Sequence, residues 1–214
     1  MKKVILVGAS PLKETSFLKE RKDDVFYVAC DGGYQNFLKE HQEPDLFVGD
    51  FDTLSETVIS HPKEMIRLSK IKDDTDTMFA IKHCLSCGYD TFYLYGCLGG
   101  KIEHTLANIQ TLKYLSNHHA KGYLIDIENN QVIFLLHNEE ITFNESSGMI
   151  SVFALDEEVK GVNEINLKYE LSKATLTNGF PLGVSNELIK GKKAKIEIEE
   201  GHLLIVAPLD SISL

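Results

Sequence analysis

The sequence has no tryptophan, only four cysteines, no apolar run of membrane-spanning length, and a shortage of positive charge. Lys and Arg number 22 against 32 Asp and Glu, for a formal net charge of −10. A surface for nucleic acid or anionic lipid needs a basic patch, so neither is expected as a partner. The longest apolar stretches fall far short of a transmembrane helix. At the N-terminus, Val4-Ile5-Leu6-Val7 is apolar, but Gly8, Ser10 and Pro11 interrupt it and charge returns at Lys13 and Glu14. A secretory leader has a longer apolar region, so this segment is expected to be a buried first strand. The cysteines, Cys30, Cys84, Cys87 and Cys97, are too sparse for a disulfide scaffold. Cys84-x-x-Cys87 falls near the end of an expected helix, whereas reactive pairs use a helix N-terminus to lower the thiol pKa. No second ligand pair stands at a zinc spacing. Reduced thiols in a cytoplasmic protein are the expectation.

What is present is ordinary for a globular chain: 43% hydrophobic and 25% charged residues over 214 positions, enough for one large domain or two small ones. The first half alternates short apolar runs with helical patterns. Strands are expected at Lys3–Val7, Val25–Cys30, Leu46–Val48, Met65–Leu68, Thr91–Tyr95 and Gly122–Ile127. Helices are expected at Leu12–Lys22, Tyr34–Glu40, Thr77–Ser86 and Thr105–Ser116. Such alternation predicts a mostly parallel sheet flanked by helices. After about Asn129 the pattern changes to short alternating strands with turn signals, which predicts an antiparallel β-sandwich. These strands are Gln131–Leu136, Ile141–Phe143, Met149–Ala154, Ala174–Thr177, Ala194–Ile198 and Leu203–Ala207. The fold class is therefore α/β plus all-β, with domains at 1–128 and 129–214.

Polar and glycine-rich clusters follow the strands of the first half. In open α/β sheets ligands bind outside the carboxyl ends of the strands, which groups these clusters into one site. Leu46-Phe47-Val48 ends at Gly49, and Asp50 and Asp52 follow with Phe51 between them. Residues two apart on an extended segment point the same way, so both carboxylates can face one hard cation. The same residues also suit a turn. Asp31-Gly32-Gly33 can cradle an anion on backbone N–H groups, or can be a capped strand-to-helix turn. Lys72-Asp73-Asp74-Thr75-Asp76 favours a helix start, yet Asp76 can also complete a three-carboxylate metal set with Asp50 and Asp52. Gly96-Cys97-Leu98-Gly99-Gly100-Lys101 opens a helix and offers phosphate its free N–H groups and the Lys101 charge. It is not a Walker A loop, because Tyr95 and Ile102 stand where glycine and Ser or Thr are required.

Together these clusters resemble the thiamine pyrophosphokinase family. The resemblance rests on Asp31-Gly32-Gly33, Gly49-Asp50-Phe51-Asp52, Lys72-Asp73-x-Thr75-Asp76, Gly96-x-x-Gly99-Gly100-Lys101-x-Glu103-His104-x-x-x-Asn108 and Gly183-Val184-Ser185-Asn186-Glu187, in that order. It implies an enzyme that moves pyrophosphate from ATP to the hydroxyl of thiamine, giving thiamine diphosphate and AMP. It further implies Mg²⁺ on Asp50, Asp52 and Asp76, with Asp73 or Asp31 orienting a metal-bound water or the attacking hydroxyl. The nucleotide would meet Asp31, Gly32, Gly33, Thr75, Gly99, Gly100, Lys101, Glu103 and His104. Thiamine would meet Asn108, Ser185 and Asn186, the last two reaching across a homodimer whose active site lies at the subunit interface. The chain departs from the usual Arg-x-Asp-His, which reads Lys101-Ile102-Glu103-His104 here. Lys keeps the charge and loses the bidentate fork. Without Trp, an aromatic platform for thiamine falls to another residue, Phe180 being one choice. Two other readings stand beside this one: a non-catalytic thiamine or nucleotide sensor, and a D-x-D metal-dependent nucleotide-sugar transferase.

Overall fold

The computed structural model describes residues 1–50, 62–69 and 73–214. Among these, the chain forms two compact units, Met1–Ile125 and Asp126–Leu214.

The first unit is an α/β layer structure. Its strands are β1 (Lys3–Val7), β2 (Val25–Cys30), β3 (Leu46–Gly49), β4 (Glu64–Arg67), β5 (Thr91–Tyr95) and β6 (Lys121–Asp126). They lie in the order β6-β5-β1-β2-β3-β4, and every pair is parallel. Because β1 sits between β2 and β5, the connections leave it in opposite directions, and a crevice opens where the strand order reverses. The helices are α1 (Tyr34–Lys39), α2 (Asp76–Ser86) and α3 (Ile102–Asn117). Helix α3 buries Thr111, Leu112 and Leu115. It lies so close to β6 that a Cβ on Gly122 would stand 2.6 Å from Leu115 Cδ1. On the core side, Val7, Leu18, Val25, Tyr27, Ala29, Tyr34, Phe37 and Phe47 form one buried cluster. At the amino ends of the strands, buried Asp45 accepts from Arg21 (2.6 Å), Lys63 (2.7 Å) and the Tyr27 N–H (2.9 Å).

The expected helix over Leu12–Lys22 is corrected to a single 3-10 turn, Ser16–Leu18. Local side chains outcompete the helix there: Glu14 accepts the Ser16 N–H (2.7 Å) and Thr15 bonds Glu40. Phe17 stacks on Tyr95, with ring centroids 4.0 Å apart, and Leu18 is fully buried. Helix α3 starts three residues earlier than expected, which places Glu103 and His104 in its first turn.

The second unit is a two-sheet antiparallel sandwich. Its strands are β7 (Gln131–His137), β8 (Glu140–Thr142), β9 (Gly148–Ala154), β10 (Glu158–Ile165), β11 (Leu171–Thr177), β12 (Asn186–Leu188), β13 (Lys195–Glu197) and β14 (His202–Pro208). One sheet runs β12-β9-β14-β7 and the other β11-β10-β13-β8. Alternate residues of β7 and β9 point inward: Val132, Phe134 and Leu136, then Ile150, Val152 and Ala154. Strands β10 and β12 were not legible as strands, and both carry buried polar residues, Glu164 and Asn186.

Candidate active site

A cavity of about 190 Å³ lies at the carboxyl ends of β1 and β5, at the reversal of strand order. Backbone geometry makes the room. The Gly8 N–H donates to the Tyr95 carbonyl (2.8 Å) and the Ser10 N–H to the Gly96 carbonyl (2.9 Å), so two loops run side by side. A Cβ on Gly8 would come within 2.7 Å of the Gly96 oxygen, and Gly96 has a left-handed φ of 60°. Side chains are impossible at either position without parting the strands.

The cavity is lined by Ala9, Ser10, Cys30, Asp31, Thr75, Asp76, Thr77, Cys97, His104, Ala107 and Asn108, besides the two glycines. Five of the residues singled out from the sequence therefore meet here: Asp31, Thr75, Asp76, His104 and Asn108. Asp31 holds a left-handed φ of 47° at the end of β2, a conformation that Asp tolerates better than most residues. Thr75 caps α2, its hydroxyl oxygen accepting the Met78 N–H at 3.1 Å. Asp76 opens the same helix, and its carbonyl accepts weakly from the Cys30 thiol (3.8 Å). Asn108, buried on α3, donates its amide N–H to the Cys97 carbonyl (2.7 Å) and so anchors the Gly96–Lys101 loop.

Others of that set stand beside the cavity. Asp50 is half-buried and directly follows Gly49, whose Cβ would meet the Asp31 Cα at 3.3 Å. The ends of β2 and β3 are thus in contact, which brings Asp50 next to Asp31. Gly99 and Gly100 both adopt left-handed φ values, 76° and 66°, and lead into α3 at Lys101. Among the described residues, no side chain caps α3 at Lys101. Lys101 and Glu103 are exposed and do not line the cavity. Asp73 is also exposed and outside the lining, while its neighbour Asp74 pairs with Lys82 at 2.8 Å. The glycines after Asp31 act differently from each other. A Cβ on Gly33 would lie 2.0 Å from the Val7 oxygen, so what requires glycine there is the neighbouring strand. Among the described residues, a Cβ on Gly32 would meet only Ala9, at 3.4 Å. Asp52 and Lys72 lie outside the described residues.

Ser10, Cys30, Thr77 and Cys97 also line the cavity; Ser10 and Cys97 belong to strand-end clusters that the sequence groups into the site, while Cys30 and Thr77 do not. The thiols came together only through the strand order.

The donor set fits a hard cation. Burial pushes the Cys97 thiol up to about 12 and the Cys30 thiol well above its ordinary value, so both stay protonated and are poor metal ligands. That leaves carboxylate oxygens, the donors that Mg²⁺ takes. Among the described residues no three His, Cys, Asp or Glu side chains close a metal cage. Mg²⁺ does not need one, because it keeps waters and takes substrate phosphate oxygens as ligands.

In the second unit, Asn186 is 3% exposed and its amide is fully engaged. The NH₂ donates to Glu164 Oε2 (2.8 Å) and the Tyr169 carbonyl (2.6 Å), and Oδ1 accepts the N–H groups of Tyr169 (3.0 Å) and Glu187 (2.9 Å). The Asn186 side chain, expected to meet thiamine, thus has both amide hydrogens and its oxygen bonded within the chain. Its neighbour Ser185 is exposed, with a left-handed φ of 62°, and its N–H donates to Ser151 Oγ (3.0 Å).

Comparison with known proteins agrees with this two-part layout. Residues 17–124 match the family described as thiamin pyrophosphokinase, catalytic domain, and residues 138–203 match thiamin pyrophosphokinase, vitamin B1 binding domain. The thiamine pyrophosphokinase of Bacillus subtilis (strain 168) is 27% identical over 221 residues, covering 98% of this chain and all of that protein. Among solved structures, the Bacillus subtilis thiamine pyrophosphokinase superposes with a TM-score of 0.83 at 24% identity, over 100% of both chains. The Geobacillus thermodenitrificans enzyme gives 0.80 at 23%, over 99% of both. The yeast thiamin pyrophosphokinase gives 0.76 at 15%, over 96% of this chain and 86% of that one. These structures share the fold.

Proposed function

This chain belongs to the thiamin pyrophosphokinase family, and from that premise we infer that it is a thiamine diphosphokinase, transferring pyrophosphate from ATP to thiamine. The observation that carries the reading is the pair of family matches, in order along the chain, with the first covering a carboxylate-lined cavity at the reversal of strand order.

The thiamine hydroxyl oxygen attacks the β-phosphorus of ATP in line. A new P–O bond forms, the bond to the α,β-bridging oxygen breaks, and AMP leaves. Little covalent chemistry falls to the protein, so its work is positioning and charge neutralisation. Asp50 and Asp76, with Asp52, would hold Mg²⁺, which supplies charge screening and orientation of the phosphates when bound. Asp31, which lines the cavity, is better placed than the exposed Asp73 to accept the hydroxyl proton. The uncapped start of α3 and the left-handed Gly99 and Gly100 suit phosphate oxygens, with Lys101 and His104 beside them. Ser185 lies on the turn proposed to meet the thiamine pyrimidine. The homodimer is part of the same proposal: Tyr169, Phe180, Leu182 and Val184 are exposed apolar residues around that turn, a patch suited to a partner. Free cysteines throughout support a cytoplasmic setting. Among the described residues, no helix is long and apolar enough to cross a membrane.

The test follows AMP release from ATP and Mg²⁺, with and without thiamine. Thiamine-dependent AMP is expected, reduced about 100-fold or more in Asp76→Asn by loss of one charge-stabilising group. ADP in place of AMP would move the attack to the γ-phosphorus and overturn the reading.

A further inference from the structure

We propose that Glu164 is a positioning residue: through Asn186 it sets the shape of the Gly183–Asn186 turn and so its grip on the substrate's ring. The inference rests on the family reading of that turn as part of the thiamine site.

Glu164 lies on β10, in the opposite sheet from Asn186, and is only 1% exposed. Their hydrogen bond ties the two sheets together beneath the turn. Asn186 then fixes both backbone groups of Tyr169, and Ser185, the residue before it, holds a left-handed φ of 62°. The other end of the turn is pinned by the Val152 N–H on the Gly183 carbonyl (3.0 Å). A Cβ on Gly183 would lie 2.4 Å from Val152 Cγ2, so the turn has no slack on that side. Its conformation therefore depends on the orientation of the Asn186 amide, and Glu164 holds one of that amide's two hydrogens.

The second oxygen of Glu164, Oε1, is buried and has no hydrogen-bond partner among the described residues. An ionised carboxylate with one oxygen unpaired in an apolar setting is costly, so a proton is favoured there. Burial raises the Glu164 carboxyl to about 7, against a smaller lowering by Asn186. The elements packed against it bring no competing charge. Leu171 on β11 and Ile196 on β13 stand opposite it, and β9, next to Asn186, has no ionisable residue. The charged groups of these elements are placed elsewhere. Lys195 pairs with Glu197 and Glu140, Lys168 with Glu187, and Glu170 accepts the Asn166 N–H. Lys173 on β11 is exposed. Near neutral pH Glu164 thus passes between two acceptor strengths. The ionised form grips the Asn186 amide harder, and a charged acceptor strengthens such a bond about twofold.

The experiment measures KM for thiamine, KM for ATP and kcat between pH 5.5 and 8.5 for the wild type, Glu164→Gln and Glu164→Ala. Wild-type KM for thiamine is expected to shift severalfold through a step near pH 7 that is absent from its KM for ATP. Gln still accepts from Asn186 but does not titrate, so Glu164→Gln is expected to keep a low KM and lose the step. Glu164→Ala, which frees the amide, is expected to raise KM for thiamine about tenfold with kcat little changed. A step that persists in Glu164→Gln, or equal rises of both KM values in Glu164→Ala, would overturn the proposal. If the wild type turns over no thiamine, the functional reading has failed. Glu164 is then judged by the ¹⁵N-amide shifts of Ser185 and Asn186: titration near 7 that vanishes in Glu164→Gln sustains the positioning role, and flat shifts end it.

Discussion

Replacing Glu164 by Gln should flatten the pH dependence of stability in the second unit. The carboxyl is raised from 4.5 in the open chain to about 7 when folded. Between those values the folded protein binds more protons than the unfolded one. Stability from this group is therefore full below about pH 4.5 and falls as pH rises through 7. Each pKa unit corresponds to about 1.4 kcal/mol, so a rise of this size removes up to about 3 kcal/mol by pH 8. Because Glu164 is almost fully buried, little of this is screened by solvent. The assay is urea unfolding followed by far-ultraviolet circular dichroism, at half-unit steps from pH 5 to 8. Other groups titrate in this window, so the readable quantity is the difference between Glu164→Gln and wild type. The new amide brings a buried donor where Oε1 now lacks a partner, which costs about 1–3 kcal/mol at every pH. The variant should therefore begin less stable at pH 5 and overtake or match the wild type by pH 8. Two curves that stay parallel would show that Glu164 does not titrate in this range, and the burial reasoning would be wrong.

Two further outcomes follow from packing and burial. Gly33→Ala should destabilise the first unit by about 3 kcal/mol or more, since its Cβ would overlap the Val7 backbone. Gly32→Ala, with only a contact at 3.4 Å, should change the thermal midpoint little; equal losses in both would refute the distinction. With a chromogenic disulfide at pH 8, native protein should release one thiol equivalent rapidly, from exposed Cys87, because Cys30, Cys84 and Cys97 are buried with thiols raised by desolvation. Cys87→Ser should abolish that fast phase, and a second fast thiol would contradict the burial.

The architecture was largely legible because its two periodicities differ. Apolar runs such as Leu46–Val48, separated by helical stretches, could only stack as a covered parallel sheet, while Gln131–His137 alternates as a half-buried strand must. What escaped notice did so for physical reasons. Leu12–Lys22 has helical spacing, but Glu14 and Thr15 satisfy local backbone and Glu40 instead. Strand β10 carries Lys160, Gly161, Asn163 and Glu164, and Gly161 sits at a register shift with a left-handed φ of 67°. Both features break the alternation that marks a strand. In the site, Asp31, Thr75, Asp76 and His104 could be picked out as chemistry-bearing types after strands or at helix starts, whereas Asn108, inside α3, rested on the family resemblance alone. The specific tasks of Gly33, against Val7, and of Asn108, on the Cys97 carbonyl, depend on contacts between distant segments and leave no local mark.

The strand order explains why the cavity stands where it does and why its lining is so mixed. In a sheet without a reversal, the loop after each strand packs on the loop after the next, and the carboxyl ends are covered. Here the loops after β1 and β5 run together through Gly8, Ser10 and Gly96, while the chain beyond them leaves in opposite directions. Asp31 arrives from β2, Asp76 from the start of α2, and His104 and Asn108 from α3. These groups come from segments far apart in the chain. The glycine contacts forbid side chains at the closest approach, so polar groups from farther out must fill the rim. Desolvation silences the thiols among them. The carboxylates, imidazole and amide that remain are the groups able to meet a polyphosphate with its cation. The chemistry of the cavity is thus a consequence of which strands flank β1, and a substitution that altered that order would remove the site while leaving every motif in place.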